Sequence, residues 1–515
     1  MNWLVKRPLK ASSGNRMKNS QKLIIAKKIL LGFDGKGRAE IVEGKAIFVR
    51  NNKIKEIGPT TELKQKYKNI PEIGGENLFA MPGLVNAHHH LGVTPFQLGA
   101  QDHPLELWFA ERLKMRNVPP TLDTLYSAFE MISSGVTTVQ HLQSRAPGNL
   151  PSVLDQSNKI IAAYGQIGMR ASYSFALRDQ NRMIYDSDEN FLAMLPPKYR
   201  LQLKRYFDSF SLSISEQLEV FNILTEQQAK NNLIEIQLAP SNLHWLSDKA
   251  LETISKVAVD SGAKLHMHLL ETPYQAEYAR RRTGQSTLEY IDNFGLLGPQ
   301  LTIGHGVWMT EDDIDLLAES GGCLCHNCSS NLRLKSGKAD LSNFLSKNIP
   351  VALGIDEAGI NDDRDMLQEM RLAYTFHRSP GHSSINPSAA EILRMATEHG
   401  AASTPFSGKV GRLAEGLFAD ILLIDLQSLA FPYQDFDIPL LDIIVRRAKR
   451  KTVDTVIIDG DVVFSQGNFT RVDEDALLEE ISKELSRAHT LEEIELRKLS
   501  EIIMPTVKNF YSGWY

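Results

Sequence analysis

Eight apolar, β-rich segments alternate with helical segments between Met81 and Thr404, and this alternation restricts the fold more strongly than any other feature. The segments are GLVNAHHH, GVTTVQHL, MRASYSF, LIEIQLAP, AKLHMHLLE, LTIGHG, GGCLCHN and VALGIDE. Strands that alternate with helices predict a parallel sheet, because parallel neighbours need a crossover connection. Eight such units predict a (β/α)8 barrel of the TIM type. The longer segment from Arg182 to Tyr206 predicts an excursion between the third and fourth strands.

Two further β-rich regions flank this middle part. Residues 22–78 and 408–470 contain short strand-like runs and Asp-Gly turns. A chain of 515 residues also exceeds the size of one ordinary core. We therefore predict an α/β protein with a barrel over residues 79–407 and a small β-sandwich domain built from both flanks. The remaining residues predict a disordered tail over 1–21 and a helical extension over 471–515.

Composition narrows the class of protein. The net charge of -5 and the pI near 6.3 give no reason to expect a nucleic-acid partner. No apolar run approaches the ~20 residues that cross a bilayer, and the basic first residues lack the apolar region of a secretory signal. Three clustered cysteines suit a reducing cytoplasm better than a disulfide framework. We expect a cytoplasmic homodimer or higher homo-oligomer that acts on a small molecule, without a membrane partner.

Candidate metal ligands lie at the ends of the predicted strands, where the loops of such a barrel gather. The candidates are His88, His90, His266, His268, His305 and Asp356. His88 and His90 share one face because side chains alternate along a strand, and His268 lies nearer the strand end than His266. Histidines and an aspartate at several strand ends predict an open site for a divalent metal that keeps water bound.

The same segments carry a family resemblance. MPGLVNAHHHL, HMHLLET, HGVW, SSNLRLKSG and GIDEAGINDDRDMLQEMRLA occur in this order. Together they strongly resemble the amidohydrolase superfamily, and within it the branch of cytosine-deaminase-like aminohydrolases and triazine chlorohydrolases. The resemblance spans nearly the whole chain and includes GKVGRLAEGLFADILLID, which is similar to the return into a small β domain.

The resemblance implies roles for individual residues. It implies that His88, His90, His268 and Asp356 bind one zinc or iron ion, with zinc favoured. Glu271 matches an acid/base glutamate, and His305 matches a histidine that activates water together with Asp356. No lysine stands where two-metal members carry a bridging one, which favours a single metal ion in this site.

The resemblance also implies a reaction class. A bound metal would lower the pKa of its water, and hydroxide would then attack a carbon that carries an amino group. We expect an aminohydrolase, that is a deaminase, of an amino-substituted N-heterocycle. Hydrolysis of an N-aryl urea, carbamate or amide would use the same metal and carboxylate and stays open. A catalytically inactive barrel that serves as a scaffold is a further alternative.

Substrate contacts are predicted from residues near the strand ends. The loop after the first strand carries Trp108 among several aromatic residues, and Trp308 follows the sixth strand. Aromatic rings could stack on a flat, weakly charged substrate, and the loop has no cluster of Arg or Lys that would suit a phosphate. The predicted substrate-binding residues are Trp108, His141, Trp308, His326 and Glu357.

All three cysteines lie in the segment GGCLCHNCSSN, together with His326. Such a density of soft donors could indicate a metal site. On a strand, however, Cys323 and Cys325 share one face and His326 the other, and no second ligand pair follows in the sequence. We therefore expect Cys323 and Cys325 to be packing residues, whereas His326 and Cys328 lie near the rim of the site.

Overall fold

The computed structural model describes residues 20–144, 147–382, 386–435 and 437–515. The predicted tail over residues 1–21 lies outside these ranges except for Ser20 and Gln21, and Gln21 already begins a strand. The N-terminal elements are β1 (Gln21–Phe33), β2 (Ala39–Glu43), β3 (Lys45–Arg50), β4 (Lys53–Pro59), α1 (Thr60–Lys66) and β5 (Glu72–Pro82). The Asn51-Asn52 turn joins β3 to β4 as an antiparallel hairpin.

Each of the eight predicted segments in the middle of the chain contains a strand, and the fourth is divided into two short strands. These strands are β6 (Leu84–His89), β7 (Val136–Gln143), β8 (Arg170–Leu177), β9 (Ile234–Ile236), β10 (Ala239–Pro240), β11 (Leu265–Leu269), β12 (Leu301–His305), β13 (Cys323–His326) and β14 (Val351–Leu353). Every residue of β6, β12 and β13 is buried. Burial on both faces is usual for the strands of a parallel sheet that is covered by helices.

These strands form two parallel sheets that are linked to each other at both edges. The first has the order β10-β8-β7-β6, with β9 paired to β8, and the second has the order β11-β12-β13-β14. A parallel bridge from Leu238 to Leu265 links one pair of edges, and a bridge from His89 to Asp356 links the other. Both sheets therefore direct the carboxyl ends of their strands toward one region.

Helices separate the strands of the middle part. They are α2 (Leu105–Glu111), α3 (Pro120–Ser133), α4 (Leu150–Ile167), α5 (Asp188–Met194), α6 (Pro197–Asp208), α7 (Ile214–Gln228), α8 (Asp248–Ser261), α9 (Pro273–Thr283), α10 (Thr287–Asp292), α11 (Glu311–Ser320), α12 (Cys328–Arg333), α13 (Leu341–Ser346), α14 (Met366–Phe376), α15 (Ala389–Met395) and α16 (Glu398–Ala402). Local sequence sets several of their ends. In α11, Thr310 and Asp313 form a reciprocal capping box, and Gly321 ends the helix at a φ of 72°. The predicted excursion corresponds to α5 and α6.

The C-terminal part returns to the N-terminal strands. Its elements are β15 (Ile421–Asp425), α17 (Leu426–Ala430), α18 (Leu440–Arg447), β16 (Val453–Ile458), β17 (Asp461–Ser465), β18 (Asn468–Phe469), α19 (Glu474–Ser486) and α20 (Leu491–Phe510). The hydrogen-bonded order is β18-β17-β16-β15-β5-β1-β3-β4, with β2 paired to β1. Both flanks of the chain therefore contribute strands to one nine-stranded sheet.

The C-terminal helix α20 covers the excursion and α2 rather than projecting from the molecule. Its apolar residues Leu499, Ile503 and Val507 are buried in one cluster with Leu113 and Met183. No helix in the described ranges is both long enough and apolar enough to span a membrane.

A buried ion pair ties the nine-stranded sheet to the parallel strands. Arg170, at the start of β8, donates to both carboxylate oxygens of Asp420 at 2.6 and 2.9 Å, and it reaches Asp459 at 3.3 Å. All three side chains are almost fully buried. Asp420 makes the shorter contacts, and its removal would leave the buried guanidinium of Arg170 with the longer ion pair to Asp459.

We expect Asp420→Ala to lower the free energy of unfolding by about 3–5 kcal/mol. Asp155→Ala is the matched control, because it breaks the exposed Lys159–Asp155 pair and should cost less than about 0.5 kcal/mol. Urea unfolding of both variants measures the difference. Equal losses in the two variants would contradict a structural role for the buried pair.

Candidate metal centre and active site

Four candidate ligands come together at the carboxyl ends of the strands. His88 and His90 lie at the end of β6, His268 lies in β11, and Asp356 follows β14. His88 and His90 are separated by one residue, so they share a face, and the intervening His89 points elsewhere. His88, His90 and Asp356 are buried, and His268 is partly buried.

The donor atoms of these residues lie close together around Nε2 of His90. The Nε2 atom of His90 lies 2.9 Å from Nε2 of His88 and 3.2 Å from Nε2 of His268. The Oδ1 atom of Asp356 lies 3.1 Å from Nε2 of His90 and 3.5 Å from Nε2 of His88. Three imidazole nitrogens and one carboxylate oxygen are a common ligand set for zinc and related divalent metals.

Hydrogen bonds on the other ring nitrogens fix the orientation of the histidines. Nδ1 of His90 donates to the carbonyl oxygen of Leu142 at 2.6 Å, and Nδ1 of His268 donates to that of Ser241 at 3.0 Å. A neutral imidazole carries one N–H, so both Nε2 atoms present lone pairs to each other at 3.2 Å. Such an arrangement is repulsive unless a cation lies between them, and the residues therefore fit a metal ion. His266 supports the set, because its Nε2 lies 2.9 Å from Nδ1 of His88.

Glu271 and His305 lie beside the ligand set. Nε2 of His305 is 3.6 Å from Oε2 of Glu271 and 3.9 Å from Oδ2 of Asp356. His305 is thus placed between the two carboxylates, both of which are buried. This is a geometry in which protons can move between a carboxylate, an imidazole and a bound reactant.

Three residues of the segment from 330 to 336 hold these side chains in place. Ser330 donates to Oδ2 of Asp356 at 2.6 Å, and Ser336 donates to Oε1 of Glu271 at 3.0 Å. The Asn331 side-chain oxygen lies 2.9 Å from Nδ1 of His305. Sequence reasoning gave these residues no role, although they belong to the motif SSNLRLKSG on which the resemblance rests. The motif is therefore the sequence feature that could have indicated a role for these residues.

The backbone is strained at two of the candidate residues. His305 has a φ of 77° and Asp356 a φ of 64°, which is the left-handed region that residues other than glycine rarely adopt. Such conformations cluster at functional sites, where the surrounding structure imposes them. For Asp356, the backbone N–H donates to the carbonyl oxygen of His88 at 2.8 Å.

The two carboxylates have opposite pKa shifts. Burial and the nearby negative charge of Asp356 raise the pKa of Glu271 well above its usual range, which favours its protonated form. Burial opposes ionisation of Asp356 as well, but the neighbouring His90, His305 and Ser330 together outweigh it, and the pKa of Asp356 is lowered. Two carboxyl groups whose pKa values are pushed apart can serve as an acid and a base in one reaction.

A cavity opens beside these groups. Trp108 and Glu357, both predicted as substrate-binding residues, lie on its wall, together with Phe109, Tyr206 and Trp245. The aromatic lining leaves room for a flat ring next to Glu271. The wall also includes Arg112, Arg178 and Arg182, which come from α2's end and from the segment after β8. These arginines come from two separate segments of the chain. The loop after the first strand, considered alone, therefore does not show a cluster of basic residues.

The other three predicted substrate-binding residues do not line this cavity. His141 bonds through Nδ1 to the Tyr164 hydroxyl at 2.8 Å, which turns its ring toward α4. Trp308 donates its N–H to the carbonyl oxygen of Ser336 at 2.6 Å and packs near Tyr515. These contacts satisfy the polar atoms of both side chains away from the cavity.

His326 and the cysteines lie in the interior. Nε2 of His326 is 2.9 Å from Nε2 of His377, which follows α14. Cys325 is fully buried and packs with Ala87 and Ala352, and Cys323 is buried as well. Both therefore pack as small core residues, whereas Cys328 lies near His326 and His377.

A parallel α/β fold that gathers histidines and carboxylates at its strand ends defines the class of metal-dependent hydrolases. The chain belongs to the amidohydrolase family, whose model matches residues 79–463. This match confirms the resemblance that the motifs indicate.

Individual relatives agree with the family. The chain is 26% identical over 447 residues to a 5-methylthioadenosine/S-adenosylhomocysteine deaminase of Clostridium tetani, covering 85% of this chain and 93% of the relative. An adenosine deaminase of Xanthomonas campestris, solved with bound zinc, has a TM-score of 0.75 at 24% identity and covers 93% of this chain and 98% of its own. An atrazine chlorohydrolase of Arthrobacter aurescens has a TM-score of 0.77 at 20% identity, covering 90% of this chain and 100% of its own.

Proposed function

We propose that this protein is a metal-dependent aminohydrolase that removes an amino group from an N-heterocycle. The observation that carries the proposal is the clustering of three imidazole Nε2 atoms with Asp356 beside two of them, next to Glu271 and an aromatic cavity. The named relatives direct the substrate class toward the adenine ring of a nucleoside. Adenine is flat, aminated and uncharged, which suits the aromatic wall.

In this proposal His88, His90, His268 and Asp356 hold one divalent metal ion. Zinc is favoured because three imidazoles and a carboxylate match its preferences, and iron could be accepted by the same set. A metal ion bound there would lower the pKa of water and so provide a nucleophile at neutral pH. The family and the solved relative with zinc support this assignment.

The protein side chains would move the protons. Asp356, whose pKa is lowered, accepts a proton from the attacking water, and His305 orients the water between Asp356 and Glu271. Glu271, whose raised pKa favours the protonated form, donates a proton to the substrate nitrogen. The carbon gains oxygen as the C–N bond breaks, and the amino group leaves as ammonia. Ser336 and Ser330 keep the two carboxylates in position.

Among the residues proposed for substrate binding, Trp108 and Glu357 have support from the cavity wall. Trp108 offers an aromatic face, and Glu357 offers a carboxylate on the same wall. We do not extend this role to His141, Trp308 or His326, whose side chains bond elsewhere.

The domain organisation is also part of the proposal. We infer that β6 to β14 close into a (β/α)8 catalytic barrel over residues 79–407, because the two parallel sheets are linked at both edges. The flanks 22–78 and 408–470 would form the small β domain, because strands of both flanks belong to one sheet. Residues 471–515 would form the helical extension.

The product of the reaction tests the proposed class. Incubation of the zinc-loaded protein with 5'-substituted adenosines should release one ammonia for each ring that is converted, and the purine ring should survive. Aryl ureas and carbamates serve as the comparison, because their hydrolysis yields carbon dioxide and an arylamine. Release of arylamine with no ammonia from any aminated heterocycle would contradict the proposal and favour the urea or carbamate hydrolase.

A further inference from the structure

A second group of soft metal donors lies outside the active site. His326 ends β13, Cys328 begins α12, and His377 follows α14. All three are buried, with relative exposures of 1%, 1% and 3%. Their potential ligand atoms lie within 4.8 Å of one another, and the two Nε2 atoms are 2.9 Å apart. Three separate elements thus bring two imidazoles and one thiol to a single point.

These donors have few other partners. Within the described ranges, the one hydrogen bond of the His326 ring goes to His377, and Nδ1 of His326 is buried without a partner. The Cys328 sulfur makes no hydrogen bond to any described residue, and no described carboxylate pairs with either ring. A buried polar group without partners normally has a structural or chemical reason. Packing alone would be served equally well by apolar side chains.

The donor types and spacing suit a tetrahedral metal. Zinc binds imidazole nitrogen at about 2.0–2.1 Å and thiolate sulfur at about 2.3 Å, so its tetrahedral ligands lie roughly 3.3–3.6 Å apart. The observed Nε2 separation of 2.9 Å would need to widen by only a few tenths of an ångström. Nitrogen and sulfur together select borderline or soft cations over magnesium or calcium.

We propose that His326, Cys328 and His377 form a second, structural site for zinc or a similar divalent cation. The site would anchor the first residue of α12, the helix that carries Ser330 and Asn331. Those two residues hold Asp356 and His305. A metal at Cys328 would therefore stabilise the segment that positions the active-site groups. The inference does not depend on the proposed deaminase activity.

Metal content tests the proposal. The protein, purified under reducing conditions and loaded with zinc, should retain two equivalents per chain after gel filtration. Cys328→Ser should retain one, and His377→Gln, which alters a different element, should also retain one. Cys323→Ser is the matched control, since it removes another buried cysteine of the same segment, and it should retain two. Equal metal content in the wild type and in Cys328→Ser would overturn the proposal.

Cobalt provides a signal that is independent of activity. The four proposed ligands of the active site contain no sulfur, so a sulfur-to-cobalt charge-transfer band would report only on the second site. We expect this band in the wild type, in Cys323→Ser and in His268→Ala, and its loss in Cys328→Ser. Persistence of the band in Cys328→Ser would overturn the assignment. Failure of the active-site proposal would instead appear as an unchanged metal content in His268→Ala.

Discussion

Glu271→Gln should lower kcat for deamination by about 10²–10⁴-fold, the usual contribution of a general acid or base. Glutamine has nearly the same shape and can still accept the hydrogen bond that Ser336 donates to Oε1. It cannot give up a proton to the leaving nitrogen, however, which is the step that the raised pKa of Glu271 enables. Because Glu271 is not among the proposed ligands, metal content should equal that of the wild type. Steady-state kinetics and elemental analysis of the same preparation measure both quantities.

Glu277→Gln is the control for this substitution. Glu277 lies in α9 and pairs with Arg280 and Arg281 at the surface, so its replacement should leave kcat unchanged. Turnover of Glu271→Gln at the wild-type rate would show that another group supplies the proton.

His268→Ala should lose one equivalent of metal and, with it, measurable deamination. The substitution removes one of three nitrogen donors and opens a gap where Nε2 of His268 faces that of His90 at 3.2 Å. Two histidines and Asp356 would then have to hold the ion alone, and metal affinity depends on the number and orientation of ligands. Elemental analysis and an ammonia assay, both performed with zinc in the buffer, measure the effect.

His399→Ala is the control for this loss. His399 also bonds through Nδ1 to a backbone carbonyl, that of Val351, but lies outside the ligand set. It should keep both metal and activity. A full complement of metal in His268→Ala would remove His268 from the ligand set.

The strands and most of the candidate ligands could be predicted from local patterns. The period of two along a strand identified His88 and His90 as a pair, and the end of a strand marked His305 and Asp356. These rules work because parallel strands in such a fold are buried on both faces and carry function at one end. They do not depend on knowing which strands are neighbours.

Contacts between distant segments could not be predicted in this way. The register of β5 against β15 pairs Met81 with Leu422. These residues are far apart in sequence, and a pattern within a short segment carries no information about such a pairing. The same limit applies to side-chain direction. The sequence pattern places His141 near the end of a strand. The direction of its ring depends on its contact with Tyr164 of α4, which the pattern does not show.

The cysteine-rich segment illustrates the difference between closeness in sequence and closeness in space. Cys323 and Cys325 lie next to His326 in the chain, yet they pack into the core. His377 is about fifty residues away and lies 2.9 Å from His326. The sequence places the cysteines and His326 in one segment, but it could not show that His377 lies beside His326.

The position of a bound metal tests the central claim most directly. A crystal of the zinc-loaded protein, measured at the zinc absorption edge, should give an anomalous difference peak enclosed by Nε2 of His88, His90 and His268 and by the carboxylate of Asp356. A map with no peak at that point, from a crystal that contains the soaked metal elsewhere in the same chain, would contradict the account.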